Sequence, residues 1–308
     1  MKKEGDGSDS TSSNQTQDRR VMRALLVPGL AALAAAVFVA AIGVVHDSTA
    51  PAALPNPEDG EFADGTYVSN YFNLSYRLPQ GWAADMAGPA PSASGYYVLG
   101  SWIPNGELDA TILLAAQDTF FAGKSGDDAK TVAADFRETM ASVDGMTIDH
   151  EPSEVTIGKH VAHRVDFSGV GLYRATFAVE IRCHIVSFNL TARDRESLER
   201  LAQSLDKLAP LRRRADAPHC VRDHVAADNI IHRVEPDAAG LKAAQVPVRL
   251  VVARDGSVRH VHVINATAAQ KRSIEDALRQ WKFKPYMREG RAVDVETGVV
   301  IGFKRAEM

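Results

Sequence analysis

Apolar and polar positions alternate most regularly near the C-terminus, between residues 245 and 303. Every second position from Val246 to Val252 is apolar, which is the period of a half-buried strand. Asp255-Gly256 follows, and Asp-Gly between two apolar runs is a strong signal for a β-hairpin. The return strand reaches Val263, and its apolar period slips after Val258, which predicts a β-bulge.

A helix and a long final strand complete this C-terminal pattern. Thr267 and Gln270 fit a capping box, in which their side chains satisfy backbone donors at the start of a helix. From Ile274 to Trp281 the apolar residues fall on one helical face, and Pro285 prevents the helix from continuing. Apolar positions then alternate over residues 293–303, which predicts the last strand.

Several short motifs follow one another in a fixed order through this segment. They are His232-Arg233-Val234-Glu235-Pro236, Asp255-Gly256-x-Val258, Ala277-Leu278-x-x-Trp281-x-Phe283-x-Pro285, Gly290-x-x-Val293 and Ile301-x-Phe303. Together they resemble the C-terminal domain of TonB-type energy transducers, over residues 228–305. The resemblance implies a small antiparallel sheet with helices on one face. It also implies that a sheet edge docks a short peptide from an outer-membrane receptor.

The final strand is the candidate docking element, because unpaired backbone groups at a sheet edge accept an added strand. The predicted partner-binding residues are Val293, Val295, Thr297, Val299, Ile301 and Phe303. Gly298 and Gly302 fall on one face of this strand and allow close backbone approach. An ordinary structural strand, covered by a neighbour or by a second copy in a homodimer, is the alternative.

A membrane anchor is predicted near the N-terminus. Residues 24–45 carry no charge, and a bilayer needs about 20 apolar residues in a helix. Residues 1–23 are polar and predicted to be a disordered tail, and the arginines at its end place that tail in the cytoplasm. A cleaved signal peptide is the alternative, but the tail and the apolar run are both long for one. We therefore expect a single-pass inner-membrane protein with its bulk in the periplasm.

A second globular domain is predicted over residues 66–211, between a Pro-containing linker (46–65) and a further linker (212–227). Its apolar runs have strand length, and two amphipathic helices are predicted between Asp127 and Val143 and between Leu198 and Leu208. This arrangement is typical of an α+β sandwich, so the fold class of the chain is predicted as α+β.

The opening motif of this second domain carries another resemblance. Asn70-x-Phe72-x-Leu74-Ser75-Tyr76-x-Leu78-Pro79-x-Gly81-Trp82 is similar to the start of PsbP-like domains. The likeness implies an α/β sandwich that binds or assists assembly, without a common set of catalytic residues.

Composition excludes more than it identifies. The 308 residues carry a net charge of -4, so nothing predicts nucleic-acid binding. The sequence has no nucleophile elbow, phosphate loop, dinucleotide fingerprint or paired-carboxylate motif. We therefore predict no enzyme, no cofactor and no metal site.

TonB-type transducers usually carry a histidine within the membrane helix, whereas here His46 lies just past the predicted span, so proton coupling is left open.

The two cysteines allow two interpretations. Cys183 lies in a predicted strand and Cys220 lies between the two domains. An oxidising compartment permits a disulfide between them, and a buried free Cys183 that packs as a small apolar residue is equally compatible.

Three groups of polar residues are candidate sites. His219, Cys220 and His224 are a compact set of metal-ligand types, but zinc usually takes four ligands, so a solvated linker is predicted. His260 and His262 share one strand face, an arrangement that would allow them to chelate a metal, and are predicted instead to form a polar outer surface. The basic residues Lys282, Lys284, Arg288 and Arg291 would attract an acidic peptide or form a solvated surface, and we favour the surface.

The predicted function is that of a periplasmic adaptor that docks an outer-membrane receptor or another envelope protein by β-strand addition. An envelope structural or assembly module without energy coupling is the alternative. In that second case the domain at 66–211 binds the main partner and the C-terminal domain mediates oligomerisation.

Overall fold

The computed structural model describes residues 54–86, 88–105, 110–123, 128–211, 217–238 and 244–303. The predicted tail (1–23) and the predicted membrane span (24–45) lie outside these residues. None of the described helices has the length and hydropathy of a membrane span. The described fold is mostly β, with three α-helices among these residues.

Two antiparallel sheets form what we call the middle domain, residues 60–211. The smaller sheet has the spatial order β1 (Gly60–Ala63), β2 (Thr66–Ser69), β3 (Leu74–Arg77) and β11 (Ala209–Pro210). The larger sheet has the order β4 (Trp82–Met86), β5 (Tyr96–Pro104), β6 (Ala110–Asp118), β10 (His184–Ala192), β9 (Leu172–Ile181), β8 (His160–Gly169) and β7 (Met146–Ile157). The helices are α1 (Ala129–Ala141) and α2 (Arg195–Ser204).

The core of the middle domain follows the two-residue period of its strands. Successive side chains of β10 point to opposite faces of the large sheet. Phe188 joins the core shared with the small sheet and with α2, whereas Ile185 packs under α1. Each helix begins at an aspartate, Asp128 or Asp194, whose side chain accepts a hydrogen bond from a backbone N–H of the first turn. The two predicted helices are thus confirmed.

The C-terminal domain, residues 217–303, contains a second four-stranded sheet. Its spatial order is β12 (His219–Cys220), β19 (Val295–Phe303), β14 (Ala244–Val252) and β15 (Val258–Val263). The helix α3 (Ala268–Leu278) covers one face. Two small ribbons pair β13 (Ile230–His232) with β16 (Lys282–Phe283), and β17 (Met287–Arg288) with β18 (Arg291–Ala292). Short 3-10 helices lie at Leu205–Lys207, Arg222–Val225 and Ala227–Asn229.

Local signals in the C-terminal domain predicted its structure well. The register of the β14–β15 pair shifts next to Val252, which confirms the bulge. Thr267 and Gln270 form the predicted capping box. Gly256 has φ +84, and a Cβ there would lie 1.9 Å from the carbonyl oxygen of Phe283, so only glycine fits this turn. The last strand begins at Val295, two residues later than the sequence pattern suggested.

The two predicted linkers take part in the fold. The segment 212–227 contains β12, which pairs in parallel with the start of β19, so the sheet is not purely antiparallel. The segment 46–65 contains β1. Residues from Pro51 onward belong to one compact unit, so the middle and C-terminal domains are not separated by an extended spacer.

A disulfide joins the two domains. Cys183, in the turn between β9 and β10, is bonded to Cys220 in β12, with a Cα–Cα distance of 5.6 Å. Of the two interpretations of the cysteines, the bridge is therefore the one that the structure shows. The bond fixes β12 against the middle domain.

Replacing both Cys183 and Cys220 with serine should lower the free energy of unfolding by about 3 to 4 kcal/mol, because the bridge closes a loop across a separation of 37 residues. Urea unfolding of the full-length oxidised protein and of the double variant measures this difference. A reducing agent should destabilise the wild type and leave the variant unchanged. Equal stability of the oxidised wild type and the variant would contradict the expectation.

Candidate functional site: a strand edge backed by buried charges

Five of the six predicted partner-binding residues are odd-numbered positions of the last strand, and Val293 precedes it. Val295, Thr297, Ile301 and Phe303 are buried, and Val293 and Val299 are half-buried. Val295, Ile301 and Phe303 pack in the same core as Ile274 and Trp281. These side chains therefore pack in the core of the C-terminal domain and are not exposed to a partner. A role for these six residues in partner binding stays a prediction.

The backbone of β19 has one edge that is paired along its whole length and one edge that is paired with a strand only at its start. Its inner edge pairs with β14 in register from Val295 to Phe303. On the outer edge, the N–H groups of His219 and Val221 donate to the carbonyl oxygens of Asp294 and Glu296, each at 2.9 Å. Among the described residues, no strand pairs with this outer edge beyond Glu296.

The period of the strand identifies which backbone groups are open. N–H and C=O of one residue point to the same side of a strand, and the side alternates from residue to residue. Because the carbonyl of Glu296 points outward, the backbone groups of Gly298, Val300 and Gly302 point outward as well. Val300 is 52% exposed and Gly302 is exposed.

One of the two glycines on this face is closely approached from within the chain. A Cβ at Gly298 would lie 2.7 Å from Cβ of Phe120 and 2.8 Å from Cζ of Phe121, both in the turn after β6. A Cβ at Gly302 would meet only the side chain of Gln245, at 3.1 Å. The close approach predicted for these glycines is thus made by the middle domain at Gly298.

Behind the strand edge, a buried arginine connects the two domains. Arg249 of β14 contacts the carboxylate of Asp118 at the end of β6, and its Nη2 lies 3.0 Å from Oε1 of Glu296 in β19. The three side chains are at most 3% exposed. A buried charge is costly unless it is paired, so Arg249 requires both carboxylates.

A second arginine balances the charge of this cluster. Nε of Arg182 lies 3.0 Å from Oε2 of Glu296, and its Nη1 donates to the carbonyl oxygen of Tyr71 at 2.8 Å. The hydroxyl of Tyr71 donates to Oε1 of Glu296 at 2.8 Å. The Arg182 guanidinium also lies 3.9 Å from the centre of the Tyr71 ring, a cation–π contact. Two cations and two carboxylates therefore meet between the domains.

The pKa shifts in this cluster follow from burial and pairing. Burial raises the pKa of Glu296, but Arg249 and Arg182 outweigh it and hold the pKa below its usual value. Burial opposes the charge on Arg249, yet Tyr71, Asp118 and Glu296 raise the pKa of its guanidinium well above the ordinary value. Burial raises the pKa of the Asp118 carboxyl, and Arg249 acts against that rise.

A buried histidine adjoins the same cluster. His184 is completely buried, with Nε2 3.9 Å from Oδ2 of Asp118 and Nδ1 2.8 Å from the carbonyl oxygen of Arg182. Burial, followed by the nearby charge of Arg249, lowers its pKa well below the usual value, so the imidazole is neutral. A carbonyl partner requires that the proton reside on Nδ1.

The histidines of β15 are covered by the segment that precedes β1. Nε2 of His260 lies 2.9 Å from Oδ1 of Asn56, and Nε2 of His262 lies 2.8 Å from Oε1 of Glu58. His262 is only 6% exposed. The expectation of a polar outer surface is therefore wrong, because part of the predicted linker packs on this face of the sheet.

The metal-ligand types near residue 220 are used structurally. Cys220 is in the disulfide, His224 is buried and stacks on Phe283, and Nη1 of Arg288 donates to Nδ1 of His219 at 2.6 Å. The expected solvated linker is therefore wrong for His224. Within the described parts of the chain, no three His, Cys, Asp or Glu side chains are placed to hold a metal ion.

The predicted basic surface is partly paired. Nζ of Lys282 lies 3.2 Å from Asp255 and Arg288 contacts His219, while Lys284 and Arg291 are exposed. An attraction for an acidic peptide stays a prediction for the remaining charges.

Replacing Arg249 with methionine should lower the free energy of unfolding by about 3 to 5 kcal/mol, because two buried carboxylates lose their cation. Arg200→Met is the matched control, since Arg200 pairs with Glu196 on an exposed helix face and should cost at most about 1 kcal/mol. Urea unfolding at neutral pH gives both values. A cost for Arg249→Met no larger than that of the control would show that the buried pairs do not hold the fold.

The neutral state of His184 predicts a pH dependence of stability. The unfolded chain takes up a proton below about pH 6.5, whereas folded His184 does not, so stability is full above this pH and falls as the pH decreases. The slope for one such group is about 1.4 kcal/mol per pH unit. Replacing His184 with glutamine should reduce the slope measured by urea unfolding by about half a proton on average between pH 5.5 and 7, and by nearly one proton at pH 5.5. Identical slopes for the two proteins would contradict a neutral His184.

The comparisons with known proteins identify the C-terminal segment. Residues 240–304 match the family described as Gram-negative bacterial TonB protein C-terminal, which confirms the resemblance drawn from the sequence motifs. The motif His232–Pro236 precedes the matched residues. The match covers a minor part of the chain, and it suggests a role in the bacterial envelope for the protein. Comparison with curated proteins gives no match.

Among solved structures, the chain is similar to cyanobacterial PsbP (CyanoP) from Synechocystis sp. PCC 6803, with 13% identity over 47% of this chain and 91% of that chain, at a TM-score of 0.34. It is also similar to LpqN of Mycobacterium tuberculosis, a protein involved in cell envelope biogenesis, with 18% identity over 44% of this chain and 83% of that chain, at a TM-score of 0.29. At these low scores we draw no functional conclusion from either similarity.

Proposed function

We propose that this protein is a non-catalytic envelope adaptor that docks a peptide of a partner protein by adding it as a strand to the outer edge of β19. The TonB-type match at residues 240–304 supports a docking role for this domain. The observation that carries the proposal is the row of outward backbone groups at Gly298, Val300 and Gly302, which have no strand partner among the described residues. Such groups form a template for another extended chain.

The opposite edge of the sheet is a poorer template. β15 ends the sheet on that side, and its register against β14 shifts next to Val252. A bulge twists an edge strand and interrupts its regular hydrogen-bonding pattern, a common protection against added strands. β19 shows no register shift along its pairing with β14. The regular edge is therefore the one suited to a peptide.

The chemistry of the chain is consistent with the periplasm. A structural disulfide between Cys183 and Cys220 is maintained in oxidising compartments. The predicted span at residues 24–45 would anchor the chain in the inner membrane and leave the domains outside the cytoplasm. An outer-membrane receptor or another envelope protein is the partner that we propose.

A second candidate function is an envelope structural or assembly module that works without energy coupling. The observation that favours it is the compact unit from Pro51 onward, which places a folded middle domain where a TonB-type transducer usually has a long Pro-rich spacer. Dissipating the membrane proton gradient separates the two functions. Loss of partner engagement on dissipation favours an energy-coupled adaptor, and unchanged engagement favours the assembly module.

Replacing Val300 with proline should abolish docking, because it removes an N–H that points out of the sheet and leaves the bonds to β14 intact. Val300→Thr is the matched control, because it keeps both the N–H and the β-branched shape. Docking is measured by cross-linking the full-length chain to outer-membrane proteins of the bacterium that produces it. We expect capture of a receptor-type protein by the wild type and by Val300→Thr, and at least a tenfold loss with Val300→Pro.

The melting temperature of each variant checks that the fold is retained. Proline at the neighbouring position Val299 would not be a useful test of docking. The N–H of Val299 points toward β14, because the direction of the backbone groups alternates along the strand. Capture of the same receptor by a folded Val300→Pro variant would contradict strand addition at this edge.

A further inference from the structure

We propose that the docking site is built from both domains, and that a pair of phenylalanines in the middle domain selects a peptide with an apolar side chain. The pair is Phe120 and Phe121, in the turn that follows β6. This inference rests on the proposed strand addition to β19. It gives the middle domain a part in recognition and defines the chemistry of the partner peptide.

The turn that holds the phenylalanines is fixed to the C-terminal domain. Asp118 contacts Arg249, and its Oδ1 accepts a hydrogen bond from the backbone N–H of Phe120 at 2.8 Å. Nη2 of Arg222 donates to the carbonyl oxygen of Thr119 at 2.6 Å. The guanidinium of Arg249 lies 4.8 Å from the centre of the Phe120 ring. These contacts hold the aromatic pair in one place relative to β19.

The pair lies on the face of β19 that carries the even-numbered residues. The phenylalanines approach Gly298 so closely that a Cβ would meet both of them at less than 3 Å. Val300, two residues further along the same face, is exposed. Every second side chain of an added strand would also point to this face. One of them would therefore lie beside Phe120 and Phe121, which are both half-buried.

The chemistry of this face favours an apolar side chain. The charged groups around it are Arg249, Arg182 and Glu296, which are engaged with one another and with Asp118 and Tyr71, and Arg222, which donates to the carbonyl oxygen of Thr119. A charged peptide side chain placed on the rings themselves would lose hydration against an aromatic surface. An apolar or aromatic one would bury its surface against the rings.

The position of the peptide is limited at one end. β12 already occupies the outer edge of β19 at Val295 and Glu296, and the disulfide at Cys220 holds it there. The 3-10 helix Arg222–Val225 that follows β12 also lies against β19, with the hydroxyl of Thr297 3.3 Å from the carbonyl oxygen of Arg222. An added strand must therefore begin beyond Glu296, alongside Gly298 to Phe303. This restricts its register, so the apolar residue should appear at a fixed position in the peptides that bind.

A library of random seven-residue peptides displayed on phage, panned against the full-length oxidised protein, tests this inference. We expect the selected peptides to share an apolar residue at one position, with a weaker preference at its direct neighbours. A synthetic peptide of the selected sequence then gives a Kd by fluorescence anisotropy. Phe121→Ala should weaken binding about tenfold, as expected for truncation of an aromatic anchor. Phe121→Leu keeps an apolar surface and should lose less.

A second peptide, with serine in place of the shared apolar residue, provides the matched control. It should bind the wild type about tenfold more weakly than the parent peptide and should be insensitive to Phe121→Ala, because the two changes remove the same contact. Melting temperatures confirm that the variants are folded.

The outcomes separate this inference from the proposed function. If Val300→Pro abolishes binding but Phe121→Ala leaves the Kd and the selected sequences unchanged, strand addition stands and the role of the phenylalanines is overturned. If Val300→Pro has no effect, or if no peptide is selected, the proposed docking edge itself is overturned. Additive losses from the serine peptide and Phe121→Ala would also reject a direct contact between the two.

Discussion

The position of the C-terminal sheet depends on one buried arginine. Arg249 lies between a carboxylate of the middle domain, Asp118, and one of its own sheet, Glu296, and all three are almost completely excluded from solvent. An apolar contact tolerates small displacements, whereas a buried guanidinium must keep its carboxylates in place. We interpret the cluster, together with Arg182 and the nearby disulfide, as the constraint that fixes how the two domains meet.

This constraint determines which parts of the sheet are accessible. One face packs under α3, and the other faces the middle domain through Arg249, Glu296 and the histidines of β15. With both faces occupied, the strand edges are the parts of the sheet left for the proposed partner, and the regular one is the outer edge of β19. The same contacts bring the turn at Phe120 and Phe121 to that edge. Rigid placement by the buried charges thus supports the proposed docking site, to which both domains would contribute.

The sequence predicted those features that depend on neighbours along the chain. The hairpin at Gly256, the capping box at Thr267 and the bulge after Val258 each arise from a few adjacent residues, and each is present. The strand β12 was missed because two residues carry no periodic signal. The direction of the open backbone groups of β19 also required the structure, because it depends on which edge β14 occupies.

The buried charges could not be predicted, because their partners are distant in sequence. Asp118 and Arg249 are 131 positions apart, and His262 and Glu58 are 204 positions apart. One signal was present: Val251 is apolar on the strand face that was expected to be polar, and Arg249 shares that face. An apolar residue beside a lone charge on a supposed outer face indicates that the face is covered. Periodicity alone does not reveal what covers it.

Hydrogen–deuterium exchange of the full-length protein tests the central claim most directly, by comparing the opening free energies of the two domains. If the buried charges make the two domains unfold together, β9 and β10 of the middle domain should open with the same free energy as β14 and β19 of the C-terminal domain. Strands of two independent domains would instead differ. Exchange of β14 and β19 at a clearly lower free energy, while β9 and β10 stay protected, would contradict the claim that the two domains form one cooperative unit.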